Sequence, residues 1–191
     1  MTTEINKKTC NDINTKMVSP TAPDAAEADR TKEDSSKADN PKADSLKTAD
    51  RVIETNEERE TYELGVRMGR EAQAGQVYTL IGDLGVGKTV FTKGLAAGLG
   101  IIEPVSSPTF TIVQIYEEGR LPFYHFDVYR IGDVEEMDEI GYEDYIYGGG
   151  VSLIEWADLI REILPGHYTE IRIEKDLERG FDYRRISICE Y

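Results

Sequence analysis

Apolar residues along this chain change period several times, and each change predicts an element. Val77-Tyr-Thr-Leu-Ile81 is a short, continuous apolar and β-branched run, the pattern of a strand buried on both faces of a parallel sheet. From Lys88 the spacing turns helical, with Val90, Leu95 and Leu99 apolar and Gly98 and Gly100 near the stop. Phe110 onward reads as a strand, Glu118-Gly119 as a turn, and Leu121 to Asp127 as a returning strand, which together predict an antiparallel hairpin. Asp133 to Ile140 predicts a short acidic helix with Val134, Met137 and Ile140 on one face. After the break Gly148-Gly-Gly150, Val151 to Glu155 is a second buried strand. Ala157 to Leu164 reads as a helix that stops before Pro165. Ile171–Glu174 and Ile186–Cys189 are final strands joined by the charged connection Asp176–Arg185.

Upstream, Val52-Ile53 suits an edge strand. Thr55-Asn-Glu-Glu58 has the form of a capping box, with Thr55 at the N-cap and Glu58 at N3, opening a helix to about Gln73 that ends at Gly75. Strands alternating with helices predict an α/β fold with a mostly parallel sheet flanked by helices.

Residues 1–50 break these rules. They contain no Phe, Tyr or Trp, almost no periodic apolar pattern, and a loose repeat at Lys37-Ala-Asp, Lys42-Ala-Asp and Lys47-Thr-Ala-Asp. Such a segment buries too little surface to offset its ordering entropy, so it reads as a disordered, solvated tail ahead of a single domain over 51–191. Charge sharpens the picture. The 191 residues carry a net charge of −15, and residues 51–191 alone hold 14 Lys/Arg against 27 Asp/Glu, a net of −13. A domain this acidic does not grip nucleic acid alone; if nucleic acid is involved, a partner holds it. Two cysteines, Cys10 and Cys189, are too few and too far apart for a disulfide framework or a metal cluster, which fits a reducing compartment. The N-terminus lacks the apolar region of a signal peptide, and no run approaches the roughly 20 apolar residues that span a membrane, so a cytoplasmic location is expected.

The turn between the first buried strand and its helix carries the chemistry. Gly82 to Thr89 reads G-x-x-x-x-G-K-T, a P-loop in the required strand–loop–helix context. Gly82, Gly85 and Gly87 allow backbone angles that a side chain forbids, so loop N–H groups can converge on an anion. The helix beyond adds its unpaired N–H groups and positive dipole end. Lys88 adds a full charge near the β- and γ-phosphates, and the Thr89 hydroxyl is a hard ligand for Mg²⁺. Asp83, Leu84, Gly85, Val86, Gly87, Lys88, Thr89 and Val90 are therefore expected to cradle the phosphates of a nucleotide.

Such a site needs a further carboxylate at a strand end. Asp127 follows the apolar run Phe123–Phe126, and Glu155 follows Val151–Ile154. Either could hold Mg²⁺, leaving the other to orient or activate the attacking water. Thr109, in Ser-Pro-Thr, stands where a switch hydroxyl could reach metal and γ-phosphate. Trp156, the sole tryptophan, is core or the aromatic rim of the site, and His125 reads as packed in the hairpin rather than catalytic. Asp138-Glu-Ile-Gly141 matches a GTPase D-x-x-G but sits at the end of an acidic helix. Asn6-Lys-Lys-Thr lacks the Asp of a guanine-reading motif, so GTP specificity is not supported.

Taken together, Gly82-Asp-Leu-Gly-Val-Gly-Lys-Thr, Ser107-Pro-Thr-Phe-Thr, Tyr124-His-Phe-Asp-Val-Tyr-Arg130, Ile154-Glu-Trp156 and Leu164-Pro165 closely resemble the TsaE (YjeE) family over roughly 51–191. The resemblance implies a P-loop NTPase-like domain with an antiparallel hairpin after the P-loop helix. It implies ATP and Mg²⁺ as ligands, and ATP hydrolysis that is slow without partners. The partners it implies are TsaB and TsaD, which transfer threonylcarbamoyl to an adenosine beside the tRNA anticodon, so tRNA is met only through them. It makes Lys88 and Thr89 the phosphate and metal residues and Asp127 and Glu155 the catalytic and metal acids. Thr109 becomes the switch-like residue, Trp156 flanks the acids, and Thr55 lies near the nucleotide. Two other functions fit the P-loop alone: a small-molecule or nucleoside kinase, for which the only basic cluster is Arg179–Arg185, and a nucleotide-gated binding module without useful catalysis.

Overall fold

The computed structural model describes residues 48–191, with side chains from Arg51 onward. Residues 1–47 of the expected tail, including Cys10 and the first two units of the repeat, lie outside the described residues, whereas its last three residues, Thr48, Ala49 and Asp50, belong to the first strand. All seven described strands join one sheet: β1 (Thr48–Thr55), β2 (Val77–Ile81), β3 (Val113–Tyr116), β4 (Phe123–Asp127), β5 (Val151–Glu155), β6 (Thr169–Lys175) and β7 (Arg184–Glu190), in the order β1-β7-β6-β2-β5-β4-β3. The four central strands β6, β2, β5 and β4 run parallel. Antiparallel strands finish both sides: β7 and β1 beyond β6, and β3 beyond β4. The hairpin predicted from the Glu118-Gly119 turn is β3–β4.

β2 and β5 are buried on both faces, as their unbroken apolar runs require. Alternate residues feed two cores. Tyr78, Leu80, Leu153 and Phe123 pack with Ile171 and Ile186 under α1 (Glu58–Glu71) and α2 (Lys88–Leu99). Val77, Ile154 and Phe126 pack on the opposite face with α3 (Glu135–Glu139), α4 (Tyr142–Ile146) and the 3₁₀ segment Ala157–Ile163.

Helices α1 and α2 approach closely because each puts two glycines, one turn apart, into the contact. A Cβ on Gly65 would collide with the Phe91 carbonyl, and one on Gly69 with the Leu95 carbonyl. Conversely, Gly94 meets the Tyr62 carbonyl and Gly98 the Val66 carbonyl. The contact is therefore backbone on backbone, and it fixes the helix that starts at Lys88.

Several boundaries differ from the pattern reading. Strand β1 begins at Thr48, ahead of the expected Arg51 start. Thr55 is not the N-cap of α1: its backbone pairs with Arg184 in the β1–β7 ladder and its hydroxyl bonds that of Thr61 at 2.9 Å. Glu57 takes the cap instead, with Glu60 at N3 completing the capping box, because Thr55 is committed to the sheet. The helix ends at Glu71 rather than Gln73. β3 begins at Val113, not Phe110, because the Thr111 and Ile112 amides both donate to the Pro108 carbonyl and turn the chain. The segment after Trp156 is 3₁₀ with a kink at Ile160, and α4 was not anticipated.

The helix contact gives a direct test. Gly69→Ala should destabilise the domain by about 1–3 kcal/mol, since no side chain can yield to the added methyl. Gly149→Ala, where a Cβ meets nothing within 4 Å, should change stability far less. Urea denaturation of both variants measures the difference; equal midpoints would refute the close-contact account.

Candidate functional site

The loop between β2 and α2 is shaped by its glycines. At Gly82, φ is 153° and a Cβ would strike the Ile173 carbonyl of the neighbouring strand, so only glycine fits. Gly87, at φ 110°, is the N-cap of α2 and contributes no side chain to its first turn. The helix N-terminus thus opens into the loop with its amides uncapped by any side chain, the geometry of an anion site.

Lys88 begins the helix and folds back over the loop. Its Nζ donates to the carbonyls of Gly82 at 2.7 Å and Asp83 at 3.1 Å. The same nitrogen sits 4.1 Å from the Trp156 ring centroid, a cation–π contact. The residue is only 6% exposed. Burial pulls its pKa below the ordinary lysine value, and the Glu155 and Asp127 carboxylates oppose that shift.

Those carboxylates arrive on adjacent parallel strands. Asp127 ends β4 and Glu155 ends β5, where they are register partners; Glu155 also pairs with Leu80 on β2. Both are buried at 3% exposure. Asp127 Oδ2 accepts the Ser107 hydroxyl in a short hydrogen bond and the Thr109 hydroxyl at 2.7 Å, while Oδ1 accepts the Tyr129 amide at 3.2 Å. Glu155 Oε1 bonds His125 Nε2 at 2.9 Å. Trp156 follows with φ 62°, an unusual backbone angle for a tryptophan, and its ring lies against Tyr129.

These groups surround a cavity of about 470 Å³ lined by Leu84, Gly85, Gly87, Lys88, Thr89, Val90, Ser107, Thr109, Asp127, Tyr129, Glu155 and Trp156. A second cavity of about 410 Å³ shares Thr89 and Val90 and adds Glu58, Arg59, Tyr62 and Lys93. Ten residues singled out in the sequence thus meet in one lining. Three stand apart from it. Asp83 offers its carbonyl to Lys88, Val86 buries its side chain in the core, and Thr55 is enclosed with Thr61.

Pattern reading did not single out Ser107 or Tyr129 for the lining, nor the contact of His125 with Glu155. The signal for His125 was its position two residues before Asp127, on the same face of β4. Of the three C-terminal arginines, Arg184 reaches the loop, its Nε donating to the Val86 carbonyl at 2.5 Å. Arg179 is paired with Glu54 instead.

A parallel core sheet with a G-x-x-x-x-G-K-T turn at the end of β2 defines a protein of the P-loop fold. The family model described as "Threonylcarbamoyl adenosine biosynthesis protein TsaE" matches residues 55–185, and the chain belongs to that family. It is 52% identical over 116 residues to the tRNA threonylcarbamoyladenosine biosynthesis protein TsaE of Bacillus subtilis, covering 61% of this chain and 70% of that protein. It is 44% identical over 115 residues to the Treponema pallidum protein of the same name, covering 60% and 84% respectively. The crystal structure of YdiB from Bacillus subtilis superposes with a TM-score of 0.64 at 41% identity, over 73% of this chain and 84% of that one.

Because the sole tryptophan packs on Lys88, it reports on the loop. An anion that draws Nζ off Gly82 and Asp83 should change Trp156 fluorescence, and Lys88→Ala should abolish the ligand-induced change. An undiminished response in Lys88→Ala would refute this assignment.

Proposed function

We propose that this chain binds ATP with Mg²⁺ and hydrolyses it to support threonylcarbamoylation of tRNA adenosine, acting on a TsaB–TsaD complex. The observation that carries this reading is the convergence of the Lys88–Thr89 turn and two strand-end carboxylates, Asp127 and Glu155, on a single cavity. The triphosphate would lie against the α2 N-terminus and Lys88, and the nucleoside would extend past Thr89 and Val90 into the adjoining cavity beside Tyr62.

The donor set fits magnesium. Thr89, Asp127 and Glu155 offer hard oxygens, and the described residues contain no cluster of three or more His, Cys, Asp or Glu able to hold a metal by themselves. That suits an ion bound through one or two carboxylates together with substrate phosphates. Mg²⁺ there would supply charge neutralisation at the β- and γ-oxygens. Their different hydrogen-bond partners support different roles for the two acids. Asp127 is fixed in place by hydrogen bonds to both of its oxygens, which suits it to hold the ion. Glu155 commits Oε1 to His125, and its other oxygen is free among the described residues to orient and deprotonate water. A kinase would need basic lid residues over its acceptor, yet Lys88 is the one cation in this lining.

No described helix is long and apolar enough to cross a membrane.

Phosphate release and tRNA modification, measured with TsaB, TsaD and tRNA present, test the proposal. Lys88→Ala should lower both by about a hundredfold or more, as expected for removing a charge aimed at the transition state. Glu155→Gln should lower turnover while ATP still binds. Unaltered modification in Lys88→Ala, or unaltered turnover in Glu155→Gln, would overturn the reading.

A further inference from the structure

We infer that His125 is a positioning residue for Glu155, holding that carboxylate in the orientation that turnover requires. This rests on the reading of Glu155 as the water-orienting acid and goes beyond it. His125 is fully buried on β4, and its register partner is Leu153, two residues before Glu155 on β5. In a parallel pair, residues two apart share a face, so the imidazole lies one layer below the two carboxylates and reaches diagonally to Glu155 Oε1 at 2.9 Å.

An ionised carboxylate only accepts, so Nε2 carries the proton and donates it to Oε1. The other ring nitrogen, Nδ1, is buried without a hydrogen-bond partner among the described residues. A bare Nδ1 leaves only an acceptor unmet, whereas a protonated one would be a stranded donor. Both observations select the same tautomer, with the proton on Nε2. The ring is itself immobilised: it stacks on Phe123 at 5.9 Å, and Phe123 stacks on Tyr116 at 5.8 Å. An aromatic column thus fixes the donor, the donor fixes Oε1, and the second carboxylate oxygen is left to the cavity. The arrangement parallels the outer groups that orient ligands at metal sites, whose removal typically costs 10–100-fold in activity.

The test is single-turnover ATP hydrolysis by the full chain, with ATP affinity read separately from Trp156 fluorescence. His125→Phe keeps the stack and removes the donor; it should lower the hydrolysis rate about tenfold and change ATP affinity by less than about twofold. His125→Gln places an amide nitrogen near the Nε2 position and should recover most of the rate. His125→Asn, whose amide ends near Nδ1, should not. In a Glu155→Gln background the loss from His125→Phe should vanish, because the group it positions is already disabled. If His125→Phe does not fold, the Gln-to-Asn rate ratio in the two backgrounds provides the same comparison. A wild-type rate in His125→Phe, or an equal fold-loss with and without Glu155, would overturn the inference. A wild-type rate in Glu155→Gln alone would instead overturn the catalytic reading beneath it.

Discussion

A lysine ammonium held out of water sets the terms for the rest of this fold. Burying an isolated charge costs several kcal/mol unless neighbours compensate it. Lys88 is compensated from three directions: its own loop's carbonyls below, the Trp156 ring beside it, and the Asp127 and Glu155 carboxylates at the strand ends. Each requirement constrains a different element. The carbonyls demand a loop that doubles back over itself, which demands glycine at 82. The carboxylates demand that β4 and β5 end level with each other beside β2, which the parallel register supplies. The ring meets the lysine from a backbone held at φ 62° at Trp156.

The loop is then braced from both sides by contacts remote in sequence. On one side, the glycines of α1 and α2 bring backbone against backbone and fix the axis of the helix that Lys88 begins. On the other, Arg184 at the start of β7 holds the Val86 carbonyl, so the antiparallel extension β6–β7–β1 also bears on the loop. Among the described residues, the Arg184 guanidinium donates to carbonyls, those of Val86, Phe181 and Tyr183. Its charge is therefore not spent on a carboxylate and adds to the positive potential at that side of the turn.

What the sequence revealed and what it concealed divide along a physical line. Continuous apolar runs named β2 and β5 to the residue, and the glycine–lysine–threonine spacing named the turn, because both are consequences of local backbone geometry. Thr55 was misplaced because its local pattern, Thr followed by Glu three residues on, is a true cap signal that the β1–β7 ladder overrides. Ser107 and His125 were passed over for a related reason. Their significance lies in partners 20 and 30 residues away, and no periodicity records which side chains a sheet will bring together. The glycine pairs in α1 and α2 carry no apolar signal along the sequence, and the packed structure shows that they are spaced for contact.

The charges around the cavity bear on how fast such a site can work. Its lining contains one cation, Lys88, and two carboxylates, so the side chains alone leave it with a net negative charge before any nucleotide enters. Under the proposed reading, a triphosphate would find compensation in the α2 amides, in Lys88 and in bound Mg²⁺. P-loop hydrolases that turn over quickly place an arginine against the transferring phosphoryl group, in cis or from a partner, and the lining holds none. Arg184, the nearest in kind, is engaged behind the loop. The shortfall is specific to the charge that develops during transfer, so it would weigh on turnover more than on binding. A domain of net charge −13 also attracts basic surfaces, so under the proposed reading a basic partner would bring the sign of charge that the site lacks. Under the proposed reading, the electrostatics of the cavity alone would make turnover depend on a cation supplied from outside the lining.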